Sequence, residues 1–245
     1  IIVSTNAYTT ELGKLQIKYD TEKRKIISHS NELITVFDDE IVDDADMLRE
    51  ITFWEKEVDK IASRPVTSST EKMVRAYGKE SNMGNLFADA IEAFDERIDF
   101  AVINSGALRQ DIVPGMITKG DLISAFPFPN TVVMTKLKGF QIIKIFNHAA
   151  GMTNGILQVS KNVKYSFTPG AQVHEIWIKG NLIDNNAVYW VAAPNFVTQG
   201  GDGYWEFQNA IEYIDSGVII VDAVENFLDG RANYVPKYEG RVLIK

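Results

Sequence analysis

The 245-residue sequence contains no cysteine and only three histidines. The missing cysteine excludes disulfides, thiolate metal sites and a cysteine nucleophile, but leaves the compartment open, because many secreted proteins lack disulfides. His29, His148 and His174 stand far apart, in no H-x-x-x-H or H-x-H spacing, which argues against a histidine-rich dimetal or zinc site within the chain. No apolar run approaches the roughly 18–20 residues of a membrane span. No basic segment precedes an apolar stretch at the start, as a signal peptide requires. Acidic residues outnumber basic ones, 33 to 25. A net charge of −8 argues against nucleic acid or an anionic membrane as the default partner.

What is present is an apolar share of 45%, enough for a sizeable core in one large domain or two small ones. The opening "IIVSTNAYTT" reads as the middle of a domain. Residues 14–37 alternate, with Leu15, Ile17 and Tyr19 on one face, and predict a β-hairpin turning at "DTEKRK". A lone hairpin is marginal in water, so its apolar face is expected to pack on something. Residues 43–63 predict a helix, with Asp43, Asp44 and Asp46 at its start and an apolar stripe of Leu48, Ile51, Trp54, Val58 and Ile61. Pro65 ends it. From Val66 onward helices and strands alternate. Helices are expected over 82–98, 119–126, 139–151 and into 216–230, with strands at "DFAVIN", "TVVMTKLKG", "VKYSFTP", "VHEIWIKG", "VYWVAAPNF" and "GRVLIK". This mixture implies an α+β (mixed α/β) fold. The expected division is a hairpin over 1–40, a linker helix over 41–66 and a larger domain over 67–245.

Four loops carry residues suited to chemistry: "ESNMGNLFADA" (80–90), "NSGALRQD" (104–111), "FPFPN" (126–130) and "NFVTQGGDGY" (195–204). Each has a plain reading. Asp202 between glycines is a turn residue bonding its own backbone, "FPFPN" is a rigid turn with core aromatics, and Trp54, Trp177, Trp190 and Trp205 belong to a core or interface. Together they have another. Two phenylalanines can sandwich a base, each stacked face contributing roughly 1–3 kcal/mol. A carboxylate can accept bonds from ribose hydroxyls, an arginine fork matches phosphate oxygens, and glycines let the backbone approach a ligand.

The order "ESNMGNLFADA", "INSGALR", "FPFPN", "LQVS", "PNFVTQGGDGY" and "EGRVLIK" resembles the C-terminal domain of the 5′-nucleotidase family, which includes ecto-5′-nucleotidase, apyrases and bacterial UDP-sugar hydrolases. The likeness covers about residues 67–245. Residues 1–40 more weakly resemble the last strands of that family's metallophosphatase domain, and 43–63 its interdomain linker. The resemblance implies that Phe128 and Phe196 sandwich the base, Asp202 with Gly201 beside it holds the ribose hydroxyls, and Asn104 and Arg109 hold the phosphate side. Asn130 falls where some members place a base-contacting asparagine. One departure concerns the arginine three residues before the glutamate of "ESN". Here that position is Tyr77, with Arg75 two residues earlier, so either Arg75 reaches the phosphate or one phosphate contact is lost.

The same resemblance implies two divalent metals, zinc, manganese or similar, held with a histidine–aspartate pair in an N-terminal metallophosphatase domain upstream of this chain. No cofactor and no catalytic residue is then expected here. The expected partners are nucleosides or nucleotides and that metal domain, in an extracellular, cell-surface or periplasmic setting. The expected function is the substrate-binding portion of a nucleotide phosphohydrolase. The alternatives are a non-catalytic nucleotide-binding module and a protein-interaction module with a degenerate pocket.

Overall fold

Alternation of apolar and polar residues pairs two long strands, β1 (Glu11–Asp20) and β2 (Lys25–Thr35), as an antiparallel hairpin. Asp20 Oδ1 accepts the Lys23 N–H and closes the turn. Helix α1 (Ala45–Ala62) follows, and Asp44 Oδ1 accepts the N–H groups of Asp46 and Met47 at its start, as the acidic cluster there anticipates. The computed structural model describes residues 1–6, 9–37, 41–153 and 155–245. The chain divides into two units, Ile1–Glu57 and Val58–Lys245, with α1 running from one into the other. The expected boundary after residue 40 lies outside the described residues. No residue of α1 is buried, so its apolar stripe is uncovered within the chain and Trp54 is 61% exposed.

The second unit begins with β3 (Pro65–Ser69), α2 (Asn82–Glu92), β4 (Phe100–Asn104) and β5 (Gly115–Thr118). Next come α3 (Lys119–Ala125), β6 (Thr131–Lys138), α4 (Gly139–Gly151), β7 (Leu157–Val159) and β8 (Val163–Phe167). Then follow β9 (Val173–Ile178), β10 (Asn181–Leu182), β11 (Val188–Pro194) and the single turn α5 (Asn195–Thr198). Strand β12 (Glu212–Ile219), helix α6 (Ile220–Leu228) and β13 (Val242–Ile244) complete it. A five-stranded mixed sheet in the order β12-β6-β11-β4-β7 forms the centre, and a four-stranded sheet in the order β10-β9-β8-β13 lies in the same unit. This is the α+β architecture expected.

The period of two along β4 divides the core. Ala101 and Ile103 join Phe87 and Ile91 of α2, Leu122 of α3 and Val224 of α6 in one cluster. Phe100 and Val102 face the other way, onto Ile145 and Phe146 of α4 and Tyr165 of β8. Burying each such side chain contributes about 1.5–3 kcal/mol relative to leaving it exposed. The tryptophans separate accordingly: Trp190 packs on the first cluster, whereas Trp205 and Trp177 are exposed.

Two expected helices are shorter than their apolar spacing implies. The helix expected over 82–98 ends at Glu92, because the Asp95 carboxylate accepts both the backbone N–H and the guanidinium of Arg97 and holds a turn instead. Those bonds pull the Asp95 pKa down to about 2. The helix expected over 216–230 begins only at Ile220, since Ser216–Ile219 close the edge strand β12.

Candidate functional site

The glycines of "QGGDGY" answer two different demands. Gly200 and Gly203 have φ of 91° and 85°, which a residue with a Cβ rarely adopts. Asp202 shares the left-handed region at φ 54°, a conformation that aspartate tolerates better than most residues. Gly201 has ordinary φ, but a Cβ there would lie 2.5 Å from the Phe196 carbonyl and 2.6 Å from its ring. Only a bare Cα lets the Phe196 ring fold back against this turn. The turn thus presents Phe196, 43% exposed, beside the Asp202 carboxylate.

Both residues face a cavity of about 450 Å³, a size suited to a small organic ligand. Its wall is formed by Tyr77, Asn104, Gly106, Ala107, Arg109, Phe128, Asn130, Phe196 and Asp202. Six of the eight residues singled out in the sequence therefore meet in one place. Gly201 lies behind Phe196. Arg75 stands outside the wall, its guanidinium 5.3 Å from the centre of the Tyr77 ring and its N–H donated to Asp111 Oδ1. A wider cavity of about 610 Å³ lies against the hairpin, but it combines Leu15, Leu33 and the Lys14–Glu32 ion pair with neither an arginine nor a phenylalanine, tyrosine or tryptophan ring.

Each wall residue is held from beneath. Phe128, 39% exposed, rests edge-on against Phe126 at 5.8 Å, and Phe126 is buried against Phe87 of α2. Asn130 gives its carbonyl to the N–H of Ile220, the first residue of α6. Asn104 ends β4 and donates from Nδ2 to Asp202 Oδ2 at 2.9 Å. Its own Oδ1 is buried without a hydrogen-bond partner among the described residues. Arg109 Nη1 reaches back to the Gly106 carbonyl at 3.2 Å, which orients the guanidinium beside the cavity.

The remaining motifs build the frame. Ser81 caps α2 by accepting the Gly84 N–H, and Gln158 of "LQVS" accepts the Ser81 N–H while donating to the Lys79 carbonyl. Glu80 Oε1 accepts from Asn85 Nδ2 and the Glu239 N–H, and Oε2 accepts the Arg241 N–H, so "ESN" and "EGR" are two halves of one clamp. This frame fixes the segment bearing Tyr77, whose carbonyl accepts from the Ile156 N–H and from Ser105 Oγ.

By sequence, His148 reads as one of three scattered structural or surface residues. In the fold its Nε2 lies 2.8 Å from the Asp202 carbonyl, and its ring meets Tyr204 edge-on at 4.8 Å. A separation of 54 positions gives no sequence signal of this contact. Tyr204 is buried, and its hydroxyl is pushed up in pKa by burial and then by the neighbouring Asp202 charge. Among the described residues no group of three His, Asp or Glu side chains is placed to hold a metal ion.

A profile of the family described as "5′-nucleotidase, C-terminal domain" matches residues 60–209. The trifunctional nucleotide phosphoesterase protein YfkN of Bacillus subtilis (strain 168) is 29% identical over 268 residues, covering 99% of this chain and 18% of that protein. The 5′-nucleotidase of Homo sapiens is 26% identical over 272 residues, covering 98% of this chain and 47% of that protein. The solved 5′-nucleotidase precursor from Thermus thermophilus matches with a TM-score of 0.79 at 23% identity, over 96% of this chain and 50% of that one, and shares its fold. This chain spans half or less of the length of each of these three relatives.

Proposed function

The chain belongs to the 5′-nucleotidase C-terminal domain family, and we propose that it is the nucleoside- and nucleotide-binding portion of a nucleotide phosphohydrolase. The observation that carries this reading is the meeting of Phe128, Phe196, Asp202, Asn104, Asn130 and Arg109 around one cavity. Two half-exposed rings on a packed base offer faces for a purine or pyrimidine, at roughly 1–3 kcal/mol per stacked face. The Asp202 carboxylate has one oxygen engaged by Asn104, and no protein donor among the described residues reaches the other, which suits it to accept from ribose hydroxyls. Arg109 supplies a planar fork for phosphate oxygens.

In this reading the chain binds and orients the substrate, a contribution that lowers barriers by fixing the reacting group in position. The hydrolytic chemistry is the task of two divalent metals held outside these residues, in a metallophosphatase domain of the kind the resemblance implies. Such metals activate water and polarise the phosphoryl group. An extracellular, cell-surface or periplasmic setting belongs to the same proposal.

The test is calorimetric titration of adenosine into the chain in the presence of a chelator, with Phe196→Ala and Asp202→Ala as controls. Saturable binding weakened in both variants supports the reading. No binding at millimolar ligand overturns it. The chain is also expected to release no phosphate from nucleotides with added zinc or manganese, and turnover by the purified chain would contradict the assignment of roles.

A further inference from the structure

We propose that His148 is a positioning residue for ribose recognition: it sets the Asp202 carboxylate through the Asp202 backbone and so governs the preference of the site for a ligand with a vicinal diol. This rests on the nucleoside-binding reading above. The imidazole does not form part of the cavity wall, so it acts through another residue. Its partner atom is a carbonyl oxygen, which only accepts, so Nε2 carries the proton and donates across 2.8 Å.

Three further observations converge on this bond. Asp202 holds a left-handed backbone at φ 54°, which costs any residue with a Cβ and persists only where the surroundings impose it. The surroundings here are two side chains from separate elements: Asn104, at the end of β4, takes the carboxylate, and His148, in the last turn of α4, takes the carbonyl. Gly203 makes room for the second grip, since a Cβ there would lie 2.8 Å from His148 Cε1 and 2.9 Å from Nε2. The ring is braced by its edge-on contact with the buried Tyr204. Without the carbonyl bond, the peptide is free to turn and carry the carboxylate out of line with the two phenylalanine rings.

The experiment compares adenosine with 2′,3′-dideoxyadenosine by calorimetry in wild type, His148→Phe, His148→Asn and His148→Gln, with a thermal melt of each. Glutamine places its amide nitrogen near the position of Nε2, whereas asparagine mimics only Nδ1. Wild type is expected to prefer adenosine, the Phe and Asn variants to lose about three- to tenfold of that preference, and Gln to keep most of it. Dideoxyadenosine affinity is expected to stay level throughout. Should the Phe variant not fold, the contrast between Asn and Gln decides alone.

Retention of the diol preference in the Asn and Phe variants overturns the inference. So does an equal loss of both ligands, which marks a merely structural role. A wild type that binds both ligands equally also overturns it while leaving the stacking pocket intact. A wild type that binds neither overturns the nucleoside-binding reading itself.

Discussion

The Arg75 guanidinium lies over the Tyr77 ring, 5.3 Å from its centre, and it is the tyrosine that reaches the cavity. Arg109 is thereby the one cation among the described wall residues, facing the single carboxylate of Asp202. Tyr77→Arg places a second guanidinium on a segment whose carbonyl is already pinned by Ile156 and Ser105. A charge-assisted bond is worth about 1.5–3 kcal/mol, so adenosine monophosphate is expected to bind about tenfold or more tightly to this variant. Adenosine itself is expected to bind as before. Equal titration curves for wild type and variant with the monophosphate would place Tyr77 away from the phosphate.

Gly201→Ala tests the seat of Phe196. The new methyl group would lie 2.5 Å from the Phe196 carbonyl and 2.6 Å from its ring, so the ring must leave the turn. Loss of one stacked face, at roughly 1–3 kcal/mol, lowers adenosine affinity about fivefold to a hundredfold. The Phe196 carbonyl is backbone and cannot swing aside, so the turn must shift as well and the melting temperature is expected to fall. An unchanged dissociation constant would show that the ring does not touch the ligand.

Glu80→Ala removes an acceptor shared by Asn85, Glu239 and Arg241. The backbone N–H groups of Glu239 and Arg241 then lose their acceptor, while Asn85 Nδ2 keeps the Lys237 carbonyl, at about 1–3 kcal/mol for each donor left unsatisfied. Destabilisation of about 3 kcal/mol or more is expected in urea unfolding. A change below about 1 kcal/mol would mean that the clamp is replaceable by water.

Glu92 gives a pH signature. Burial is the main cause raising its pKa above the ordinary glutamate value, against a weaker lowering by the nearby Ser160 hydroxyl. One carboxylate oxygen accepts from Asn162 and the other has no partner among the described residues. The folded chain therefore favours the protonated acid. Its contribution to stability is present below the unfolded value of about 4.3 and is lost as pH rises through the raised folded value. Glu92→Gln is expected to melt close to wild type at pH 4 and above it at pH 7. A melting-temperature gap that is constant with pH would contradict this.

Much of the scaffold was legible wherever a pattern was long and its neighbours indifferent. Helix α4 has the expected bounds because Ile142, Ile145, Phe146 and Ala149 repeat at helical spacing and all face the core. Failures arose where a local side-chain bond overrode the pattern, as Asp95 does after α2, or where an edge strand took over residues with helical character, as at Ser216–Ile219. Strand β7 is too short to show any period. In the site, "GGDG" among aromatics pointed to the turn, and the motif order pointed to the family. The place of Tyr77 and the contact of His148 depend on how segments pack across the fold, which no local spacing encodes.

The Glu80 clamp also has a temporal consequence. Its acceptors sit at position 80, while two of its donors are backbone groups 159 and 161 residues downstream. A ribosome delivers those donors long after the acceptors. Until residues 239–241 emerge, Glu80 lacks two of its donors and Arg241 has not closed on the Asp89 carboxylate of α2. The clamp thus closes only after synthesis has passed every residue of the cavity wall. A chain stalled before residue 239 would hold all the binding residues on a frame whose Glu80 clamp is still open.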